Sequence, residues 1–152
     1  MKKFNFKLKQ ILEIRKLKEE EELNKLYLIQ RRYGEHSNLY DSYSAEKINA
    51  LDNFNNYEWG NAGFGKYLNF TEYLKKLEYE MENEKRTMQE IQIEIDEQQV
   101  FVRDAKQKRM VIDKLKDKAY SEYRNQMYKM QQVEHDEIAT MIFMKTRQSN
   151  GL

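Results

Sequence analysis

The chain has 152 residues, of which 35% are charged, and its mean hydropathy is −1.02. A closed globular domain carries about a quarter charged residues, so here most side chains must stay in contact with water. An elongated helical protein therefore fits the composition better than a globule. Disorder is the competing interpretation, but the tyrosines, phenylalanines and methionines are plentiful and periodic, which argues against it.

The sequence also argues against cysteine chemistry, a membrane-spanning helix and a signal peptide. It contains no cysteine, which excludes disulfide and thiolate chemistry and fits a reducing cytoplasm. No apolar run approaches the ~18 residues that a membrane-spanning helix needs. The basic start is not followed by an apolar block, so we expect no signal peptide.

The formal net charge of +1 hides a strong segregation of charge along the chain. Residues 1–18 carry a net charge of +6 and residues 19–60 a net charge of −5. Later, residues 77–98 carry −6 and residues 99–118 carry +4. Such blocks matter more than the total charge for the choice of partners.

The first helix is predicted over about residues 4–52. It opens with a basic lead in which Phe4, Phe6 and Leu8 alternate with polar residues. Beyond the lead, apolar residues recur at mixed three- and four-residue steps: Ile11, Leu12, Leu23, Leu26, Ile29, Tyr33, Tyr40, Ile48 and Leu51. The run Glu19 to Glu22 interrupts this weak stripe, and we interpret it as a solvated face because four consecutive carboxylates point in four directions around a helix.

A turn is predicted over about residues 53–66, which hold three of the five glycines and show no helical period. The glycine-rich part lacks the Lys-Ser/Thr of a phosphate-binding loop. Two amphipathic segments joined by a short connection favour an antiparallel helical hairpin. The fold class is therefore all-α, and residues 1–152 are predicted to form a single coiled-coil hairpin.

The second helix is predicted over about residues 67–147, with neither proline nor glycine inside it until Gly151. Alternating steps of four and three from Phe70 give twenty positions up to Glu137, of which fourteen are apolar. A spacing of 3.5 residues held this long is typical of a coiled coil, because it keeps one narrow stripe facing a partner helix. A helix of this length would extend on the order of 120 Å.

A fold point near Trp59 predicts that residue 20 lies beside about residue 98, and residue 8 beside about residue 110. The second helix then extends past the first, and Ala119 to Arg147 has no partner within the chain. The same register places two basic stretches side by side near the termini. A partner with an acidic lining would relieve their repulsion.

Candidate sites for chemistry are few. His36 and His135 lack the repeated carboxylate or histidine spacing of a metal site in a bundle, so both are predicted to be exposed. We expect no catalytic residues, no cofactor and no metal, since an extended hairpin offers no pocket that excludes water. The basic stretches could contact nucleic acid or an anionic membrane weakly, but an acidic protein groove is favoured, because net charge is near zero.

Three tyrosines at the start of the second helix, Tyr67, Tyr73 and Tyr79, are predicted to lie off the apolar stripe. They either flank the contact between the helices or form a docking patch, because tyrosine buries much area with little entropy loss. The sequence leaves both alternatives open.

Three segments resemble the flagellar FliJ family. Residues 4–21, FNFKLKQILEIRKLKEEE, are similar to its opening, which has spaced phenylalanines followed by a glutamate run. Residues 69–78, NFTEYLKKLE, resemble the opening of its second helix, although Tyr73 stands where phenylalanine is common. Residues 134–143, EHDEIATMIF, resemble its C-terminal motif, with His135 as a departure. The resemblance spans nearly the whole chain.

This resemblance implies a cytoplasmic component of the flagellar type III export apparatus, associated peripherally with the inner face of the cell membrane at the flagellar base. Family members form a two-helix coiled coil similar to the stalk of rotary ATPases. The implied partners are the hexameric export ATPase, whose pore the stalk enters and whose assembly and activity it promotes, the membrane export gate protein and export chaperones. No integral membrane segment and no nucleic acid are implied.

The resemblance also suggests contact residues. The end that carries the termini is assigned to the ATPase ring, and its expected contact residues are Arg15, Lys16, Arg109, Met130 and Phe143. The start of the second helix is assigned to the export gate, and its expected contact residues are Tyr73, Leu77, Glu80 and Glu84.

Other functions fit the same pattern. The injectisome counterpart of the family would show it equally. An unrelated coiled-coil spacer is a further alternative, as is a prefoldin-like holdase that binds unfolded clients with its helix ends. A holdase should bind many unfolded chains, whereas a stalk should bind one ring at low stoichiometry.

Overall fold

A computed structural model describes residues 3–57 and 63–149, which form two helices. Helix α1 spans Lys9–Asn55 and helix α2 spans Gly63–Ser149, with 47 and 87 residues. No strand occurs in the described residues. The predicted all-α hairpin with a longer second helix is confirmed. No helix in the described ranges is both long and apolar enough to cross a membrane.

The helix bounds differ from the predicted ones at all four ends, and the difference is smallest at the end of α2, which lies at Ser149 rather than near residue 147. Helix α1 begins at Lys9 rather than near residue 4, and it ends at Asn55 rather than near 52. Helix α2 begins at Gly63, four residues before the predicted start, with φ of +29° at that glycine. A left-handed backbone of this kind favours glycine. The predicted fold point at Trp59 lies outside the described residues.

The chain divides into two compact units, each of which contains part of both helices. One unit comprises residues 18–105, and the other comprises residues 1–17 together with 106–152.

In the unit 18–105, the predicted stripe on α2 is confirmed along its length. Every position reached by the four-three steps is buried or half-buried: Phe70, Leu74, Leu77, Met81, Glu84, Met88, Ile91, Ile95, Gln98, Val102 and Ala105. Ile91 and Ile95 are only 2% and 6% exposed, whereas Ile93 between them is 60% exposed. The burial therefore follows one narrow line along the helix, as the 3.5-residue spacing predicts.

Helix α1 carries a matching stripe that the apolar residues alone did not reveal. Steps of three and four in this unit pass only through buried or half-buried positions: Glu19, Glu22, Leu26, Ile29, Tyr33, His36, Tyr40, Tyr43, Lys47, Ala50 and Phe54. Gly34, Ser37 and Ser44 beside this line are half-buried as well. Several of these residues are polar, which is why the stripe looked weak. Within this unit, three apolar residues of the predicted stripe are exposed instead: Leu23, Ile48 and Leu51.

Glu22 corrects the prediction that the glutamate run is a solvated face. This residue is 8% exposed, because it lies on the contact line between the helices. The Gln98 side-chain amide donates to its carboxylate at 2.7 Å and to its backbone carbonyl at 3.0 Å. Lys25 donates to the same carboxylate at 3.2 Å. These interactions, the Gln98 hydrogen bond first, lower the pKa of Glu22 from its usual value.

Contacts between the helices fix their register. Residue 22 contacts residue 98, so the predicted pairing of residue 20 with about residue 98 is two residues out. Near the turn, the rings of Phe54 and Phe70 stack with centroids 4.0 Å apart. Between these points, the Arg32 guanidinium donates to Glu94 at 2.8 and 2.9 Å.

In the unit of residues 1–17 and 106–152, residues 3–8 precede α1 and are not helical. Phe4, Phe6 and Leu8 are half-buried, while the residues that alternate with them are exposed. Such alternation is the two-residue period of extended backbone. Residues 7 and 8 then form a turn into α1, closed by a hydrogen bond from the Lys9 N–H to the Phe6 carbonyl at 3.1 Å. The Phe4 ring packs on Tyr120 and Tyr123 of α2, with centroids 5.3 and 5.4 Å apart.

The extended segment corrects two expectations. Phe4 packs on Tyr120 and Tyr123, and Leu8 lines a groove that begins at Leu115, so this segment lies farther along α2 than the predicted pairing of residue 8 with about residue 110. Extended backbone advances about 3.3 Å per residue against about 1.5 Å in a helix, so residues 3–6, which precede the turn at residues 7 and 8, reach farther along α2 than the same number of helical residues would. Residues 119–127 therefore have a partner, and the predicted unpartnered stretch begins at residue 128.

The narrow contact line yields a matched pair of substitutions on α2. We expect Ile91→Ala to lower the free energy of unfolding by about 2–5 kcal/mol, because it removes buried methyl groups and leaves a cavity. Ile93→Ala deletes the same atoms from the exposed face and should change stability by no more than about 0.5 kcal/mol. Urea unfolding followed by circular dichroism measures both. Equal losses would contradict the predicted contact line.

The Glu22 environment predicts a pH dependence of stability. Because its folded pKa lies below the unfolded value near 4.5, its ionised form stabilises the fold above that pH, and this contribution disappears as the pH falls through the lowered pKa. Glu22→Gln should lower the melting temperature at pH 7, and the difference from the unmodified chain should shrink below about pH 4.5. Glu20→Gln, at an exposed position, is the control and should show neither effect.

Candidate functional site

The most prominent exposed surface lies at the end of α2. Every side chain from residue 128 to residue 149 is exposed. The segment nevertheless includes seven large apolar side chains, each between 54% and 66% exposed: Met130, Val133, Ile138, Met141, Ile142, Phe143 and Met144. Contiguous exposed apolar surface of this kind marks a site of interaction.

The apolar side chains of this segment are not confined to one face. Successive residues of an α-helix are rotated by about 100°, so the four consecutive residues from Met141 to Met144 point in four directions. A helix that is apolar all round is normally buried on every side. The segment therefore fits a partner that surrounds it better than one that covers a single face.

Three hydroxyl groups of the segment form hydrogen bonds within the helix. The hydroxyls of Thr140, Thr146 and Ser149 donate to the backbone carbonyls four residues earlier, at 2.7, 2.8 and 3.0 Å. Charged residues bound the apolar stretch: Glu134 to Glu137 includes three carboxylates, and Lys145 and Arg147 follow it. A partner would meet an acidic band, an apolar band and a basic band in turn.

The five residues expected to contact the ATPase ring all belong to the unit of residues 1–17 and 106–152. Met130 and Phe143 lie in the exposed segment and Lys16 is exposed on α1. Arg15 and Arg109 are half-buried instead. The Arg109 guanidinium donates to the Asp113 carboxylate one turn later on α2, so part of its hydrogen-bonding capacity is used within the helix.

A groove of about 700 Å³ lies between the extended segment and α2. Residues 3–8 form one wall, and Leu115, Tyr123, Met127 and Met130 contribute to the other. Met130 thus connects the groove with the exposed end of α2. The alternation of Phe4, Phe6 and Leu8 was the signal in the sequence that could have located this feature.

The second expected site lies in the unit 18–105. Tyr67, Tyr73 and Tyr79 are 48%, 43% and 65% exposed, so their predicted position off the contact line is confirmed. The Tyr73 hydroxyl donates to Glu46 at 3.2 Å. Partial burial and the neighbouring Glu46 carboxylate raise the pKa of Tyr73 from its usual value. Whether these tyrosines dock a partner stays a prediction.

The other residues expected at the gate contact divide into two kinds. Leu77 is only 4% exposed, so its side chain is covered while the hairpin is closed. Glu84 is also on the contact line, where its carboxylate lies 2.6 Å from His36 Nδ1. Glu80 is half-buried. Tyr73 therefore offers the largest surface of the four expected gate residues.

His36 corrects a further expectation. It was predicted to be exposed, but its side chain is 30% exposed and it bridges to α2 through Glu84. The sequence signal was its place in the three-four steps of α1, between Tyr33 and Tyr40. His135 is exposed, as predicted.

The fold and the exposed surfaces together define a class: a two-helix antiparallel hairpin whose longer helix ends in an exposed apolar segment. A model of the family described as flagellar FliJ protein matches residues 4–148, nearly the whole chain. The chain belongs to the FliJ family and is a component of flagellar type III protein export. Neither a curated protein nor a solved structure matched the chain in the same comparisons.

Tyr73 and Leu77 should respond differently to truncation. We expect Leu77→Ala to lower the free energy of unfolding by about 2–5 kcal/mol, because the side chain is buried between the helices. Tyr73→Ala should cost at most about 1 kcal/mol, since it removes a partly exposed ring and one hydrogen bond. Chemical unfolding measures both variants. A Tyr73 loss as large as that of Leu77 would place Tyr73 in the hairpin contact.

Proposed function

We propose that the chain is a stalk of the flagellar export apparatus whose α2 end inserts into the central pore of the hexameric export ATPase. There it promotes assembly and activity of the ring, and it links the ring to the membrane export gate. The chain acts as a single coiled-coil hairpin in the cytoplasm, at the inner face of the membrane at the flagellar base. It is not itself an enzyme, and it also handles export chaperones.

The observation that carries this proposal is the all-round apolar surface of residues 138–144. A flat partner would bury one side of this helix and leave the opposite side in water. A channel formed by several subunits buries every side at once. The bands of charge before and after the apolar stretch favour a partner lined with rings of complementary charge.

The gate contact is assigned to the start of α2, in the other unit. Tyr73 and Glu80 present surface to a partner, whereas Leu77 and Glu84 support that face from the contact with α1. A rigid hairpin beneath an exposed tyrosine reduces the entropy lost on binding, which favours docking at this place.

The proposal is tested by single substitutions around the helix. We expect aspartate at Met141, Ile142, Phe143 or Met144 to weaken binding to the cognate export ATPase, because each position faces a different part of the channel wall. Each variant should lower the stimulation of the ATPase rate and the fraction of hexamer by about tenfold or more at subsaturating concentration, since a charge would be buried without a partner.

Val100→Asp is the matched control, because Val100 is 57% exposed on the same helix but outside the segment. It should leave stimulation unchanged. If only one or two adjacent positions are sensitive, the partner covers one face and the pore insertion is wrong. If the unmodified chain neither stimulates nor binds the ring, the function shifts toward chaperone escort.

A further inference from the structure

We infer that, in the absence of other partners, the exposed end of α2 pairs antiparallel with the same segment of a second copy of this chain. The inference goes beyond the proposed function and does not rest on it, because it concerns the protein alone. It follows from the order of residues along one face of the exposed segment.

Six residues of the exposed segment share this face. At about 100° per residue, the following positions fall within an arc of about 80°: Met130, Glu134, Ile138, Met141, Lys145 and Gln148. All six side chains are exposed. The face therefore presents an apolar centre of Ile138 and Met141, with a carboxylate on one side and an ammonium group on the other.

This face is self-complementary when two copies of the helix run in opposite directions. Ile138 and Met141 lie at equal distances from the point midway between residues 139 and 140. Glu134 and Lys145 also lie at equal distances from that point. When a second copy runs in the opposite direction, Glu134 of each copy faces Lys145 of the other, and Ile138 faces Met141. Both charge pairs flank an apolar centre, as in coiled-coil interfaces.

Parallel pairing is disfavoured by the same residues. In a parallel arrangement Glu134 would face Glu134, and Lys145 would face Lys145, which places like charges together. The antiparallel overlap of residues 130–149 is on the order of 30 Å long. Ile142 and Phe143 extend the apolar surface around the helix, so pairing covers part of it and leaves the rest accessible.

The pairing makes a specific prediction for the full-length chain. Sedimentation equilibrium over a roughly hundredfold range of concentration should show the apparent mass rising from 18.6 kDa toward twice that value. Glu134→Lys and Lys145→Glu should each weaken the homodimer by about tenfold or more, since each places like charges opposite one another at both ends.

An equimolar mixture of these two variants should regain dimerisation, because lysine at 134 of one chain then faces glutamate at 145 of the other. Asp136→Lys and Arg147→Glu make the same charge changes on the opposite side of the helix and serve as controls that should leave the dimer intact. Circular dichroism verifies that each variant remains helical. A chain that stays monomeric, a mixture that does not recover, or controls that weaken the dimer equally would overturn the inference.

The direction of pairing can be tested by cross-linking, because the chain has no native cysteine. In the antiparallel pair, Met130 of one copy faces residue 149 of the other. Residue 148 lies next to that position. Mixed Met130→Cys and Gln148→Cys variants should therefore form a disulfide with each other in preference to disulfides between identical chains. Predominant cross-links between identical chains would indicate parallel pairing and contradict the proposed arrangement.

Discussion

The contact between two helices along a single line is the constraint on which the rest of the structure depends. Each helix contacts the other only along one narrow stripe of side chains, so few side chains become fully buried. Among the described residues, five apolar side chains are buried: Leu12, Leu77, Ile91, Ile95 and Ala105. The remaining surface stays in water, which explains why a chain with 35% charged residues folds as an ordered helical hairpin.

Polar residues on this line specify the register. Gln98 binds Glu22 and Glu84 binds His36, so shifting one helix along the other would separate these pairs and leave polar groups without partners. A purely apolar stripe would tolerate such a shift more readily. The pairs cost some stability relative to apolar packing but favour one alignment, a use of buried polar groups that coiled coils share. A fixed alignment in turn determines which part of α2 remains uncovered.

The sequence predicted one half of this contact well and the other half poorly. On α2 the contact positions are mostly apolar, so the spacing from Phe70 was visible at once. On α1 the same spacing passes through Glu19, Glu22 and His36, and hydrophobicity alone therefore misplaced these residues on the surface. The extended start was missed for a different reason: Phe4, Phe6 and Leu8 were counted with the helix, although their alternation indicates extended backbone.

The candidate site was predicted in outline. The unpartnered end of α2 followed from the different lengths of the helices, but its start depended on how far residues 3–8 reach, which a helical rise underestimates. Leu77 and Glu84 were expected at a partner surface because a motif match cannot separate residues that touch a partner from residues that support them. That distinction required the burial of each side chain.

The same helix thus serves two purposes: up to residue 127 it packs on α1 and on residues 3–8, and beyond that it is available to other molecules. Amide hydrogen exchange on the dilute chain, with and without the export ATPase ring, tests this division most directly. We expect slow exchange over residues 70–112 in both samples, and rapid exchange over residues 128–149 that slows when the ring is added. Equal protection of both stretches in the free chain, or ring-induced protection confined to residues 70–112, would contradict it.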